Sequence, residues 1–309
     1  MNTLAAWLAL LIYLAFAYTP WRAALTRLSQ RLGDWSVGLL LLPYLLAVSL
    51  RPPLGDLLRL ALYLALPTLC LRLRPRRARP FDRFHVLAIL AIWVPIEPDL
   101  FLLALNLVTP IIELPLNLSL LPEVEATLVS DVALPIHTLT AISLALFLFL
   151  VRHPLKGIGF TFRLRRRDLQ RALVGLSAFF LIGLPLGLGM GFLQVDPAVP
   201  ELQDIIVGIV GGYLLVALME EVLFRGVIQN LLTRRLGNDK LSLPIAAIVF
   251  GLAHLNNATE GFATPNWAYA LMATLAGLAY GWVWMRTGRV TASAITHALV
   301  NLIWVVLFP

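Results

Sequence analysis

Long apolar runs separated by short charged connections are the dominant pattern of this 309-residue chain. The runs show no alternation of apolar and polar residues, so they predict helices rather than the strands of a membrane barrel. A helix crosses a hydrocarbon core of about 30 Å with about 20 residues. Because backbone polar groups must satisfy one another in lipid, we expect an all-α, polytopic transmembrane helix bundle. About ten spans are predicted, near 4–18, 36–50, 56–71, 85–107, 132–151, 172–194, 205–232, 242–257, 266–285 and 290–308.

Basic residues fall almost entirely in every second connection between these spans. Of the 24 lysines and arginines, 21 lie in the connections that follow the first, third, fifth, seventh and ninth spans. The opposite connections are acidic and contain one basic residue, Arg51. This alternation follows the positive-inside rule, so we expect an integral protein of a bacterial plasma membrane with cytoplasmic basic loops and both termini outside. The net charge of +7 therefore reflects topology and does not indicate nucleic-acid binding.

The basic connection 152–171 is the strongest internal boundary. It separates an N-terminal transmembrane region, 1–170, of about five helices from a C-terminal domain, 171–309, which holds nearly every ionisable residue at membrane depth. The segment 95–99 interrupts the fourth span, and we expect a kinked helix end there, followed by an outer loop to about residue 131. The single cysteine, Cys70, excludes a disulfide framework, and no zinc-helix or phosphate-loop motif is present.

The seventh predicted span carries two adjacent glutamates and an arginine, Glu220, Glu221 and Arg225. A charge at the centre of a membrane helix costs about 2.5–3.5 kcal/mol on insertion scales, so such residues usually face the interior of a bundle. Glu221 and Arg225 are four residues apart and can form an ion pair on one helix face. Glu220 points about 100° away, toward a different neighbour. The spacing therefore predicts that Glu220 is the free carboxylate and that Glu221 and Arg225 support it.

Two later spans each contribute a histidine. His254 follows Phe250 in the eighth span, and His297 precedes Asn301 by one turn in the tenth. A single histidine in an apolar helix is more often a core residue than a catalyst. Counted from the predicted span ends, however, Glu220, His254, His297 and Asn301 all fall within about 8–18 Å of the cytoplasmic edge, close enough in depth for their side chains to converge. We therefore expect these four residues to form one site.

This set of residues suits the attack of an activated water molecule on an amide. A glutamate withdrawn from water can act as a general base, and a histidine beside it can return a proton to the leaving amine. A histidine and an amide donor on one helix face can stabilise an oxyanion. The sequence places no serine or cysteine beside the histidines, which disfavours a covalent acyl-enzyme.

The order and spacing of these motifs resemble those of the CPBP family, also called Abi, which includes the type II CAAX prenyl endopeptidases. The resemblance covers about residues 171–309 and none of the N-terminal spans. It implies an intramembrane endopeptidase in which Glu220 and His254 activate water and in which His297 and Asn301 form the oxyanion site. It also implies that Glu221, Arg225 and Phe250 support this geometry. The implied partners are the lipid bilayer and a membrane-associated peptide or protein substrate, including a lipidated one.

Three questions stay open at the level of sequence. Glu220, His254 and His297 could supply three zinc ligands, although a ready general base and the absence of an HExxH helix favour a mechanism without a metal cofactor. A membrane immunity or scaffold protein could retain the same residues and act by binding a partner. A transporter is less favoured, because its polar residues would be distributed over two repeats with broken half-helices.

Overall fold

The computed structural model describes residues 2–75, 77–108, 121–129, 132–197 and 201–308, and 74% of it is helical. A two-stranded antiparallel hairpin is the only sheet in this described part of the chain. Contacts divide the chain into two compact units, Met1–Lys156 and Gly157–Pro309. The helical fold class is confirmed, and the predicted domain boundary at residue 170 stays a prediction.

The first unit consists mainly of short or bent helices around a core formed by α1 and α7, which pack together. The small residues Ala5 and Ala6 and the aromatic Tyr13 of α1 are fully buried there. The elements are α1 (Asn2–Ala15), α2 (Thr19–Leu32), a 3-10 helix (Gly33–Leu41), α3 (Leu42–Ala47), α4 (Leu54–Arg72), α5 (Arg83–Trp93), α6 (Pro98–Val108), β1 (Glu125–Val129), β2 (Val132–Pro135), and α7 (Ile136–Phe147), which ends in a π-helical turn (Leu148–Arg152).

The second unit contains most of the long helices. One continuous helix, Ile205–Leu236, changes between α and π geometry along its length. The π-helical segments flank the Glu220–Glu221 pair, and such segments often occur at functional sites. The elements are α8 (Arg166–Gly189), α9 (Leu202–Gly211), a π segment (Gly212–Ala217), α10 (Leu218–Glu221), a second π segment (Val222–Gln229), α11 (Asn230–Leu236), α12 (Asp239–Leu252), α13 (Trp267–Thr287) and α14 (Val290–Leu307).

Several helices are long and apolar enough to cross a membrane. Within the described residues there are five, and up to seven if each of two bent helix pairs forms one span. The chain is therefore a multi-pass integral membrane protein. The predicted count of about ten spans is not confirmed, and the sidedness of the loops and termini stays a prediction. The five helices are Leu54–Arg72, Arg166–Gly189, Ile205–Leu236, Trp267–Thr287 and Val290–Leu307.

Several predicted spans differ from the structure because an apolar run does not specify where a helix bends or ends. The run 36–50 forms the 3-10 helix and the six-residue helix α3. The run 132–151 begins as strand β2, and the run 242–257 leaves helical geometry at Leu252. Shorter helices result, and these no longer meet the length that a span requires.

The run 85–107 forms two helices, α5 and α6, that meet at an angle of 117°. Pro95 and Pro98 lie at the junction, where each removes a backbone donor and prevents continuation of the preceding helix. The kink predicted near residues 95–99 is therefore confirmed. The outer loop predicted to reach about residue 131 falls largely on residues 109–120, 130 and 131, which lie outside the described residues.

Close approach of α12 and α13 depends on glycine. A Cβ added at Gly251 would overlap the hydroxyl of Thr274 and the carbonyl oxygen of Ala270 on α13. A Cβ added at Gly277 would lie only 3.2 Å from the backbone of α12. Small residues allow membrane helices to pack backbone against backbone. The glycines thus bring the C-terminal end of α12 against α13.

A buried aspartate ties the start of α8 to the start of α14. Asp168 Oδ2 accepts hydrogen bonds from the backbone N–H of Arg165 and from Arg289 Nη1, each at 2.8 Å. Arg165 immediately precedes α8, and Arg289 immediately precedes α14. A single carboxylate therefore caps one helix and holds the entry to the other.

We expect Gly251→Ala to lower the free energy of unfolding by about 1–3 kcal/mol, because the added methyl group has to displace the α13 backbone. Unfolding in detergent micelles measures this change. Gly208→Ala is the matched control, since Gly208 is also helical and a Cβ added there would meet no atom within 4 Å. Equal unfolding curves for the two variants would contradict the role assigned to Gly251.

Candidate active site

Glu221 is the centre of a buried polar network. Its fully buried side chain places Oε1 2.9 Å from Arg225 Nη1, and the same oxygen accepts a hydrogen bond from His297 Nδ1 at 3.1 Å. Its Oε2 accepts a hydrogen bond from the hydroxyl of Ser293 at 2.5 Å. The ion pair expected from the spacing of Glu221 and Arg225 is therefore present. Both buried charges are compensated, as a low-dielectric interior requires.

The Arg225 guanidinium joins three helical segments. It is 1% exposed, and its Nη2 donates to the carbonyl oxygen of Gly277 on α13 at 3.2 Å. Its central carbon lies 4.1 Å from the centre of the Phe250 ring on α12 and 5.2 Å from that of Tyr280 on α13. The negative faces of aromatic rings attract a cation. Phe250 therefore supports the charge of Arg225.

His297 is held on α14 by two contacts. Its ring stacks on Tyr280 with 4.5 Å between the centroids, and its Nδ1 faces Glu221. An ionised carboxylate can only accept a hydrogen bond, so Nδ1 carries the proton in this pair. The other nitrogen, Nε2, lies 3.9 Å from Oε2 of Glu220. The contact with Glu221 thus directs Nε2 toward the second glutamate.

His254 is held in a similar way in the turn that follows α12. Its Nδ1 lies 2.8 Å from the carbonyl oxygen of Phe250, which can only accept, so Nδ1 is again the donor. Its ring stacks on Tyr269 with 5.3 Å between the centroids. His254 interacts electrostatically with both Glu220 and His297. Its Nε2 is therefore the nitrogen left for chemistry with these neighbours.

Helix α13 supplies the stacking partner of each histidine. Tyr269 and Tyr280 are 11 residues apart, which is about three helical turns and places them on the same side of α13. One tyrosine covers His254, and the other covers His297. The sequence analysis missed both tyrosines, because an aromatic residue in an apolar helix usually indicates core packing.

Glu220 has surroundings unlike those of Glu221. About a third of its side chain is exposed, at 32%. Among the described residues, its buried Oε2 has no hydrogen-bond partner. Its charged or titratable neighbours include His297 and His254. The distinction between a free carboxylate and a paired one, expected from helix geometry, is therefore present in the structure.

The structure brings Glu220, His254 and His297 together, but Asn301 less closely. Asn301 lies one turn after His297 on α14 and is half-buried. Within the described part of the chain it forms no hydrogen bond with these three side chains. Its assignment to the site therefore continues to depend on its position along α14.

Ser293 is a further site residue that the sequence analysis missed. It is fully buried four residues before His297 and thus on the same face of α14. Besides its hydrogen bond to Glu221, its hydroxyl lies 2.7 Å from the carbonyl oxygen of Tyr280. These hydrogen bonds do not involve a histidine, so the expectation against a covalent acyl-enzyme stays a prediction. The four-residue spacing was the available signal, and the contacts make Ser293 a support for Glu221.

Glu220, His254 and His297 are the residues considered as zinc ligands. No group of three or more His, Cys, Asp or Glu side chains in the described ranges is arranged to hold a metal ion. In the set Glu220, His254 and His297, both histidines use Nδ1 to bind protein acceptors. Nε2 is then the nitrogen of each histidine that stays available, and the absence of a metal cofactor stays a prediction.

We expect Glu221→Gln to lower the free energy of unfolding by about 3–5 kcal/mol, because it leaves the buried charge of Arg225 uncompensated. Glu220→Gln is the matched substitution at the adjacent position, and we expect a change below about 1 kcal/mol, since Oε2 makes no hydrogen bond and its contact with His297 Nε2 is 3.9 Å long. Thermal unfolding of both variants in the same detergent tests the contrast. Equal losses of stability would show that the two glutamates do not differ as described.

Comparison with known proteins adds one finding. Residues 202–303 match the family model described as Type II CAAX prenyl endopeptidase Rce1-like. This segment is about a third of the chain and includes Glu220, His254, His297 and Asn301. No curated protein and no solved structure matches the chain. The resemblance to the CPBP and CAAX protease family, expected from the spacing of these residues, is therefore confirmed over residues 202–303.

Proposed function

We propose that the second unit is an intramembrane endopeptidase in which Glu220 activates a water molecule that hydrolyses a peptide bond. The observation that carries this proposal is the contrast between two adjacent glutamates. Both carboxylate oxygens of Glu221 are engaged by Arg225, His297 and Ser293. Glu220, in contrast, keeps an oxygen without a hydrogen-bond partner in the described residues. A base needs such an available oxygen within reach of the water from which it takes a proton.

The first step of the proposed reaction forms the nucleophile. Glu220 removes a proton from water, and the resulting hydroxide oxygen bonds to the carbonyl carbon of the substrate. The carbonyl oxygen then carries a negative charge. His254 interacts electrostatically with Glu220, and its Nε2 is proposed to hold the same water molecule in place. Partial exposure of Glu220 allows water and substrate to reach the carboxylate.

The second step breaks the carbon–nitrogen bond. The tetrahedral intermediate collapses, and the proton taken from water passes to the leaving nitrogen by way of Glu220 or His254, so that the site returns to its starting state. When His297 Nε2 carries a proton, it can donate a hydrogen bond to the oxyanion. Asn301, one turn along α14, is the second donor proposed for this oxygen.

The proposed substrate is a membrane-associated peptide or protein, including a lipidated one. Two observations support this class. Glu220 and His297 lie on helices that are long and apolar enough to cross a membrane, and the matching family model is that of a prenyl endopeptidase. We propose no resident metal cofactor, because Glu220 suffices as the base.

We expect Glu220→Gln to lower the cleavage rate of a quenched lipidated peptide library by about 10²–10⁴-fold, the usual contribution of a general base. The assay compares equal amounts of folded protein in lipid. Glu201→Gln is the matched control, because Glu201 is an exposed glutamate just before α9 in the same unit. A cleavage rate for Glu220→Gln equal to that of the wild type would refute the mechanism. No cleavage by the wild type or the control would count against this substrate class and favour a partner-binding protein.

We also expect cleavage to survive a strong zinc chelator, with no stoichiometric zinc in the purified protein. The measurement combines metal analysis with the peptide assay before and after chelation. Loss of activity on chelation and recovery with added zinc would instead make Glu220, His254 and His297 metal ligands.

A further inference from the structure

The first unit contains a cavity of about 800 Å³ that the proposed peptidase activity does not use. Its two principal walls are the 3-10 helix Gly33–Leu41 and α4. Most of the residues that line it are apolar or small, whereas the charged ones form a single cluster of Asp34, Arg72 and Arg152. The cavity therefore has apolar walls and a charged end.

The length of this cavity matches one leaflet of a bilayer. Ala61 and Arg72 both line it and are 11 residues apart, which is about 16 Å along an α-helix. Gly33 and Leu41 on the opposite wall are also about 16 Å apart at the rise of a 3-10 helix. Half of a hydrocarbon core of about 30 Å is about 15 Å. An extended acyl chain of one leaflet can therefore lie along both walls.

The charged end carries more positive than negative charge. Asp34 Oδ2 lies 3.1 Å from Arg72 Nη1, and its Oδ1 pairs with Arg152 Nη2. Two guanidinium groups thus share one carboxylate. Arg72 is 69% exposed, whereas Arg152 is held by Asp34 and by the backbone oxygen and hydroxyl of Ser29. Guanidinium groups with spare donors bind phosphate through charge-assisted hydrogen bonds.

The helix next to the cavity has the features of a helix that lies in the membrane interface. The chain bends by 97° between α1 and the helical segment that begins with α2. The apolar residues Trp21, Leu28 and Leu32 of α2 are exposed. The helix also carries three arginines. An amphipathic, basic helix with exposed apolar residues typically lies at the level of the lipid headgroups. Trp35, at the mouth of the cavity and 90% exposed, is the type of residue that marks this level.

We propose that this cavity is a binding site for an anionic phospholipid. One acyl chain lies between the 3-10 helix and α4, Arg72 binds the phosphate, and Arg152 adds its positive charge beside it. The net positive charge of the cluster, together with the basic helix α2, selects an anionic headgroup over a zwitterionic one. The site lies wholly within the first unit and does not depend on the function proposed for the second.

Native mass spectrometry of the full chain tests this site. The protein is incubated in detergent with dioleoyl phosphatidylglycerol or dioleoyl phosphatidylcholine, and the lipid that stays bound after release from the detergent is measured. We expect retained phosphatidylglycerol and little phosphatidylcholine. Arg72→Gln should weaken phosphatidylglycerol binding about fivefold, the effect of one surface charge on an anionic lipid. Ala65→Phe should weaken it similarly by filling the cavity. Two controls should bind like the wild type: Arg166→Gln, which removes an exposed arginine of the second unit, and Leu58→Phe, which adds a ring on α4 outside the cavity.

Several outcomes would overturn the proposal. Equal retention of the two lipids would contradict selection by charge. Wild-type binding by both Arg72→Gln and Ala65→Phe would place the lipid elsewhere on the protein. Displacement of phosphatidylglycerol by a farnesylated peptide, with the same sensitivity to Ala65→Phe, would assign the cavity to a lipidated peptide instead.

Discussion

The buried ion pair between Glu221 and Arg225 is the interaction on which the rest of the candidate site depends. A charge within a membrane helix is tolerated when it is paired and surrounded by donors and acceptors. The Phe250 ring and the Gly277 carbonyl oxygen contact Arg225. His297 and Ser293 donate hydrogen bonds to Glu221. The compensation of two charges therefore fixes the orientation of a histidine. It also leaves the neighbouring carboxylate, Glu220, available for chemistry.

Much of the fold could be predicted from apolar run length, and the errors have identifiable causes. Long apolar runs indicate insertion into a membrane. Because a bilayer core holds no water to bind backbone polar groups, only helices and closed barrels can span it, and the runs lack the alternation of a barrel. Span number does not follow, because run length cannot show that Pro95 and Pro98 bend a helix by 117° or that residues 36–50 form a 3-10 helix. Such local geometry depends on packing between segments distant in sequence.

The site was predictable where it depends on spacing along a helix and unpredictable where it depends on packing between helices. A four-residue spacing indicated the contact of Glu221 with Arg225, and a 100° rotation separated Glu220 from it. Tyr269 and Tyr280 could not be recognised, because their stacking on the histidines depends on how α13 packs against the end of α12 and against α14. Ser293 had a signal in its spacing from His297, but only the fold shows that it bonds Glu221.

The most direct test of the central claim is chemical rescue. The cleavage rate of Glu220→Ala on one defined peptide substrate would be measured without and with added formate, a small carboxylate able to occupy the space left by the glutamate. If Glu220 is the base, the variant is inactive alone and regains part of the rate with formate, whereas the buried Glu221→Ala is not rescued. Wild-type cleavage by Glu220→Ala without formate would contradict the account.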